Sequence, residues 1–266
     1  MIAKNLRTAV SAVVIGLSSV ASANAATVDT LLSLVIDVSG SIDSTEYNLQ
    51  SQGYIDAFND VAIRNAIFDT SNGEQGAIAV NVIQFGSNAH QSIGFSLIED
   101  AASADAFVAA LNSMGRAESG STNVAAGVNL ATSSITSWLG TAGNSTGRVV
   151  VDVSGDGAQN TSCGGNCDAT LQSARDTAIG AGVDTINAIA IQSAGLQSYF
   201  DTNIVAGSNS FSLFASDFDT FGTSIRTKLL SEIDGTVPAV PLPMPAFLLL
   251  AGFGGLGLMR RRRKNC

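Results

Sequence analysis

The residues best suited to chemistry lie at Asp37-Val-Ser39-Gly-Ser41, which places one carboxylate and two hydroxyls within five positions. Two later segments match them. Val153-Ser154-Gly155-Asp156-Gly157 offers a second carboxylate, and Ser119-Gly120-Ser121-Thr122-Asn123 is a polar loop with several hydroxyls. Hard divalent cations take oxygen ligands, and magnesium keeps some waters in a near-octahedral shell of about 2.0–2.1 Å. Three hydroxyls and two carboxylates suit such an ion. The candidate metal set is therefore Asp37, Ser39, Ser41, Thr122 and Asp156, with Mg2+, Mn2+ and Ca2+ all open, and with Ser119 and Ser121 competing with Thr122 inside its loop. Ser and Asp also shape turns and cap helices, so residue types alone do not require a metal. A different chemistry is offered by Cys163-Gly-Gly-Asn-Cys167: the two thiols can close a small disulfide in an oxidising compartment or stay free. Zinc does not fit that pair, because the only histidine, His90, lies more than seventy positions away.

These residues need elements to position them. Leu31 to Asp37 is a short apolar run ending in a Gly-containing turn, the pattern of a buried parallel strand. A long helical stretch follows, with Tyr47, Tyr54, Ile55, Phe58, Val61 and Ala62 on its apolar face. Ala77 to Phe85 reads as a second strand, and Gln91 to Phe95 as an antiparallel edge beside it. Helical stretches at about Ala102 to Met114 and Val124 to Trp138 lead to a Val-rich strand, Arg148 to Val153. Then come a helix from about Ala169 to Ala181, a strand from Asp184 to Ile191, a short strand near Phe211 to Phe214 and a last helix from Asp217 to Ile233. Strands alternating with helices predict an α/β, doubly wound, mainly parallel sheet with helices on both faces and one antiparallel edge strand. In such sheets ligands gather beyond the carboxyl ends of the strands, where both Asp37 and Asp156 fall.

Asp37-Val-Ser39-Gly-Ser41, with a later Thr and a later Asp in this order, resembles the metal-ion-dependent adhesion site of von Willebrand factor A domains. The resemblance implies that Ser39, Ser41 and Thr122 bind metal directly when a ligand is engaged, while Asp37 and Asp156 act largely through water. It also implies a protein partner that offers a carboxylate to the metal. The stretch from Ser41 to Tyr47 and from Gly53 to Phe58 further resembles a bacterial subgroup of these domains without an established function, and the likeness runs over most of residues 30 to 235.

Composition bounds the alternatives. Of 266 residues, 45% are hydrophobic and 13% charged, which is enough apolar material for one sizeable core. All 22 acidic residues lie between Asp29 and Asp234, where only six basic residues stand against them, a balance of −16. A phosphate backbone would be repelled, so no nucleic acid partner is expected. A Ser-His-Asp hydrolase would have to use His90, and no Gly-x-Ser-x-Gly elbow surrounds Ser39 or Ser154. Asp152 to Gly157 fails as an EF-hand because Cys163 occupies the place of the bidentate Glu. Metal-assisted hydrolysis lacks a dedicated base, so a non-enzymatic binding module is expected, with an extracellular-matrix or envelope component stabilised by metal as the alternative.

Both ends read as targeting segments. Residues 1–25 have Lys4 and Arg7, an apolar run from Ala9 to Val20 and Ala23-Asn24-Ala25, the pattern of a signal peptide. Residues 26–233 form the predicted domain, and 234–245 a Pro-rich linker. An apolar segment at 246–259, expected to enter the membrane, precedes a basic tail at 260–266. Val240-Pro241-Leu242-Pro243 before that segment resembles the PEP-CTERM class of sorting signals, which implies an exosortase-type protease as a partner, a Gram-negative bacterium and delivery to the envelope or outside. An ordinary C-terminal anchor is the alternative.

Overall fold

A computed structural model describes residues 25–238 of the chain; the expected signal peptide up to residue 24, the Val240–Pro243 motif, the expected membrane segment and the basic tail lie outside the described residues. Seven strands form one sheet among them. These are β1 (Thr27–Asp37), β2 (Ile78–Phe85), β3 (Ala89–Ile98), β4 (Ser145–Gly155), β5 (Thr185–Ile191), β6 (Ala206–Gly207) and β7 (Ser212–Ala215). The order is β3-β2-β1-β4-β5-β6, with β7 also on β5. All pairs are parallel except β2 with β3 and β5 with β6. The expected antiparallel edge is thus present at β3, and the two-residue β6 adds a second antiparallel pairing at the other edge.

Seven helices cover the sheet: α1 (Ser44–Asn59), α2 (Val61–Ile67), α3 (Ala101–Ser113), α4 (Val124–Leu139), α5 (Cys167–Gly180), α6 (Ala194–Asn203) and α7 (Phe218–Asp234). Side chains alternate across a strand, so β1 sends Leu32, Leu34 and Ile36 to one face and Leu31 and Val35 to the other. The first face packs against α1, α2, α3 and α7, the second against α4, α5 and α6. Among the described residues no helix is long and apolar enough to cross a membrane.

Two elements differ from expectation. The single long helix is broken at Asp60, whose carboxylate accepts from the amides of Ala62 and Ile63 and so starts a new helix. Val61, expected on the buried face, is consequently 71% exposed. Helix α6 was not expected at all; Ser193 caps it, and only Leu196, Phe200 and Asn203 are buried on it, too sparse a stripe to stand out in the sequence.

For the site, the register matters most. Ile36 on β1 pairs with Ser154 on β4, and Asp37 pairs with Phe85 on β2, so the carboxyl ends of these strands are level. Strand order reverses between β1 and β4, with β2 following β1 on one side and β5 following β4 on the other. The crevice at that switch point is where an open α/β sheet holds ligands.

Candidate metal centre

Three loops meet at this crevice. The first leaves β1 at Asp37, whose Oδ1 accepts from the Ser39 amide at 2.8 Å and folds the turn back on itself. The turn ends where Asp43 caps α1: its carboxylate accepts from the amides of Thr45 and Glu46, and Glu46 accepts in return from the Asp43 amide at 2.8 Å. The second loop carries Thr122, next to Asn123, which caps α4 by accepting from the Ala126 amide. Gly120 in this loop has φ +85°, and a β-carbon there would come within 2.4 Å of Ser87 Oγ, so only glycine fits. The third loop follows β4. A β-carbon on Gly155 would stand 2.8 Å from Asp37 Oδ2, so the absence of a side chain is what lets β4 lie against that carboxylate.

The structure brings all five predicted metal residues together. Thr122 Oγ1 donates to Ser39 Oγ at 3.2 Å, Ser39 Oγ lies 3.2 Å from Ser41 Oγ, and Ser41 Oγ donates to Asp156 Oδ1 at 2.7 Å. Asp37 joins through the Ser39 amide. Asp37 and Ser39 are fully buried, Thr122 nearly so, and Ser41 is exposed. Of the competing hydroxyls, Ser119 and Ser121 are both exposed, and neither side chain enters this chain of bonds.

Electrostatics set the site apart. Burial pushes the Asp37 carboxyl up to about 7, and the nearby charge of Asp156 adds to the effect. Asp156 is also raised, by burial first and then by the charge of Glu46. Neither carboxylate forms an ion pair with Lys, Arg or His among the described residues. Asp37 Oδ2 is buried with no hydrogen-bond partner among the described residues. A buried acceptor left unpartnered costs stability unless something supplies positive charge or a donor. An oxygen-only donor set around such an atom fits a hard dication.

Sequence reasoning missed the residues that hold the loops. Arg116 donates to the carbonyls of Val38 and Ser39, and Asn160 binds the Thr122 amide through Oδ1 at 2.9 Å. The buried Gln159 accepts from the Ala125 amide and donates to Asn123 Oδ1. Arg116 carried a signal, as one of only six basic residues in the acidic stretch and the one just ahead of the hydroxyl loop; the amides carried none. Cys163 and Cys167 are joined by a disulfide at the foot of α5, three residues beyond Asn160. His90 is exposed on β3 opposite Gln84 and makes none of the site's hydrogen bonds.

The fold has counterparts among solved structures. The proximal thread matrix protein 1 of the mussel byssus, solved with a zinc-occupied MIDAS motif, superposes with a TM-score of 0.54 at 19% identity, over 76% of this chain and 45% of that one. A von Willebrand factor type A protein from Catenulispora acidiphila gives 0.53 at 14% identity, over 77% and 43%. The pilus adhesin SpaC from Lactobacillus rhamnosus GG gives 0.57 at 15%, over 78% and 31%. The chain spans less than half the length of these three relatives, and at such identities the likeness shows a shared fold, the von Willebrand factor A type of α/β fold. No curated protein matches the sequence. One family does, over residues 27–237, and the chain therefore belongs to it: the family described as protein of unknown function, DUF1194.

Proposed function

We propose that the chain is a metal-dependent binding module, in which Ser39, Ser41 and Thr122 hold a divalent cation directly and Asp37 and Asp156 hold it through water. The observation that carries this reading is the buried, unpartnered Oδ2 of Asp37 at the meeting point of three hydroxyl-bearing loops. When bound, the cation supplies a Lewis-acidic position that can accept a carboxylate from a partner protein. The chain's own groups do the rest. The Asp37 turn and the α1 cap fix Ser39 and Ser41, Asn160 fixes Thr122, and Gly155 lets β4 lie close enough to Asp37 to bring Asp156 into the crevice. Carboxylates held one water away offset the ion's charge less than direct ligands would, which leaves it receptive to an outside anion. A binding role is favoured over hydrolysis because the only histidine is away from the site's bonds and both site carboxylates are committed to holding the ion. Mg2+ heads the candidates, with Mn2+ and Ca2+ behind it. The sequence patterns of both ends support delivery of this module outside the inner membrane after exosortase-type processing. Solved structures of the same fold include a pilus adhesin and a thread matrix protein, which is consistent with an adhesion role or with a matrix role.

The test is thermal. Chelator-stripped protein titrated with Mg2+, Mn2+ and Ca2+ should show a melting temperature that rises with the logarithm of metal concentration above Kd, worth about 2.7 kcal/mol at a hundredfold excess. Asp37→Ala and Asp156→Ala should each lose it. A parent that folds but shows no rise with any of the three ions would sink the metal reading. If metal raises stability and yet carboxylate-bearing partners bind equally well with and without it, the matrix role replaces the adhesion role.

A further inference from the structure

The most elaborate structure around the crevice is built on a residue that touches none of the five metal-site side chains. Arg116 Nη2 donates to Val38 O at 2.7 Å and to Ser39 O at 2.6 Å, and its Nε reaches Val38 O at 3.1 Å and Glu118 O at 3.2 Å. Such charge-assisted bonds from a planar fork are strong and directional. The arginine is itself held in place. Its guanidinium lies 6.0 Å from the centroid of the Tyr47 ring, the Tyr47 hydroxyl donates to Met114 O, and the buried Gln84 grips both Gly115 O and the Ala117 amide. The segment from Met114 to Glu118 is thus anchored on both sides of the arginine. Among the described residues Arg116 makes no ion pair with Asp37 or Asp156; it spends its donors on carbonyls and leaves the two carboxylates without a cation.

The carbonyls concerned belong to the turn that carries Ser39 and Ser41. Val38 O accepts twice from Arg116, and Ser39 O accepts from Arg116 and from the Ile42 amide, which uses both lone pairs of each. Across the crevice Gly120 O accepts from the Gly40 amide, Ser119 O from Ser87 and Thr122 O from Asn160. Calcium gathers six to eight oxygens and readily recruits main-chain carbonyls, whereas magnesium takes six and keeps waters.

We infer that Arg116 is a positioning residue for the metal centre: it fixes the turn that carries Ser39 and Ser41 and, by saturating the Val38 and Ser39 carbonyls, holds the site to a small, six-coordinate dication. This rests on the metal reading above. Losing a partner that orients ligands from outside the coordination sphere costs metal affinity about 10–100-fold. The experiment measures Mg2+ and Ca2+ affinities of the full-length protein by calorimetry for the parent, Arg116→Met and Arg116→Lys, with the melting temperature of each metal-free form recorded alongside. Arg116→Met should lose at least about tenfold in Mg2+ affinity and less in Ca2+ affinity, so the preference for Mg2+ narrows. Arg116→Lys should lose it too, because an ammonium keeps the charge without the fork. Should the Met variant not fold, the Lys variant decides alone. Parent-like affinities in the variants, or equal losses for both ions, would overturn the inference while the metal reading stands. A parent that binds neither ion, indistinguishable from Asp156→Ala, overturns both.

Discussion

Strand β4 and the loop that follows it carry two buried or partly buried carboxylates four residues apart, and they live in opposite circumstances. Asp152 is fully buried midway along the strand and meets Lys228 of α7 at 2.5 Å; Lys228 also meets Glu232 at 2.5 Å, and Asn187 donates to Glu232 at 2.9 Å. Asp156, just past the strand's end, meets the Ser41 hydroxyl and, among the described residues, no cation. In the first region the fold supplies its own positive charge, and the acids fasten α7 to the sheet. In the second it supplies hydroxyls and amides only, at a crevice open to solvent through Ser41. A carboxylate paired internally has no need of an outside ligand. One left unpaired by an otherwise orderly hydrogen-bond network marks where the molecule expects something to arrive.

The sharpest way to break this contrast is to remove the internal cation. Lys228→Met leaves Asp152 and Glu232 facing each other without compensation, and should cost about 3–5 kcal/mol in urea unfolding. Replacing all three by apolar residues, as in Lys228→Met with Asp152→Val and Glu232→Leu, should recover most of that loss. The metal response of the recovered variant should match the parent's, since nothing at the crevice is touched. A recovered variant that no longer responds to metal would show that the two regions are not separable.

pH sharpens the contrast from the other side. The folded state raises Asp37 from 3.8 to about 7, so the folded protein holds this proton where the unfolded chain has lost it. The stabilisation is full below about pH 4 and disappears as pH climbs through about 7. Metal-free protein should therefore lose about 2–4 kcal/mol from this group over that window. Burial pushes Asp156 and Glu232 in the same direction, so the Asp37 share is read as the difference between the parent and Asp37→Asn. Saturating Mg2+ should flatten the slope, because binding favours the ionised carboxylate. A parent and Asp37→Asn with identical slopes would count against the buried acid as the source.

The smallest effect concerns the disulfide. It closes a loop of a few residues, so Cys163→Ser with Cys167→Ser should cost no more than about 2 kcal/mol. Asn160 still binds both the Thr122 amide and, more weakly, its hydroxyl in the adjoining loop, so the midpoint of the Mg2+ titration should shift by less than threefold. A larger shift would make the disulfide loop part of the metal centre.

How much of this was legible beforehand follows from the range of each interaction. The Asp37, Ser39 and Ser41 pattern announces itself locally, because a strand end and a tight turn are short-range features, and Asp156 repeats the strand-then-turn grammar. Thr122 could be preferred over Ser121 only by resemblance; the structure adds that Thr122 is buried against Ser39 while Ser121 is exposed. Lys228 and Glu232 stand four apart on a helix, a spacing that a surface ion pair shares; their burial and the pairing of Lys228 with Asp152 of β4 make them core. Arg116, Gln159 and Asn160 act on main-chain atoms 34 to 78 positions away, and no spacing rule reaches that far. The break at Asp60 is legible in principle, since a carboxylate three residues ahead of Ile63 is a cap signal, but the apolar period runs across it.

The bond from Ser41 to Asp156 spans 115 residues, and that from Thr122 to Ser39 spans 83. Such contacts form late, because the long loops they close must be ordered before the contacts return anything. During synthesis the chain carries Asp37, Ser39 and Ser41 well before β4 exists, so a growing chain has the motif without the centre. Whatever binds in the crevice rewards only a finished domain, and its occupancy reports on the completeness of folding as well as on the supply of ligand.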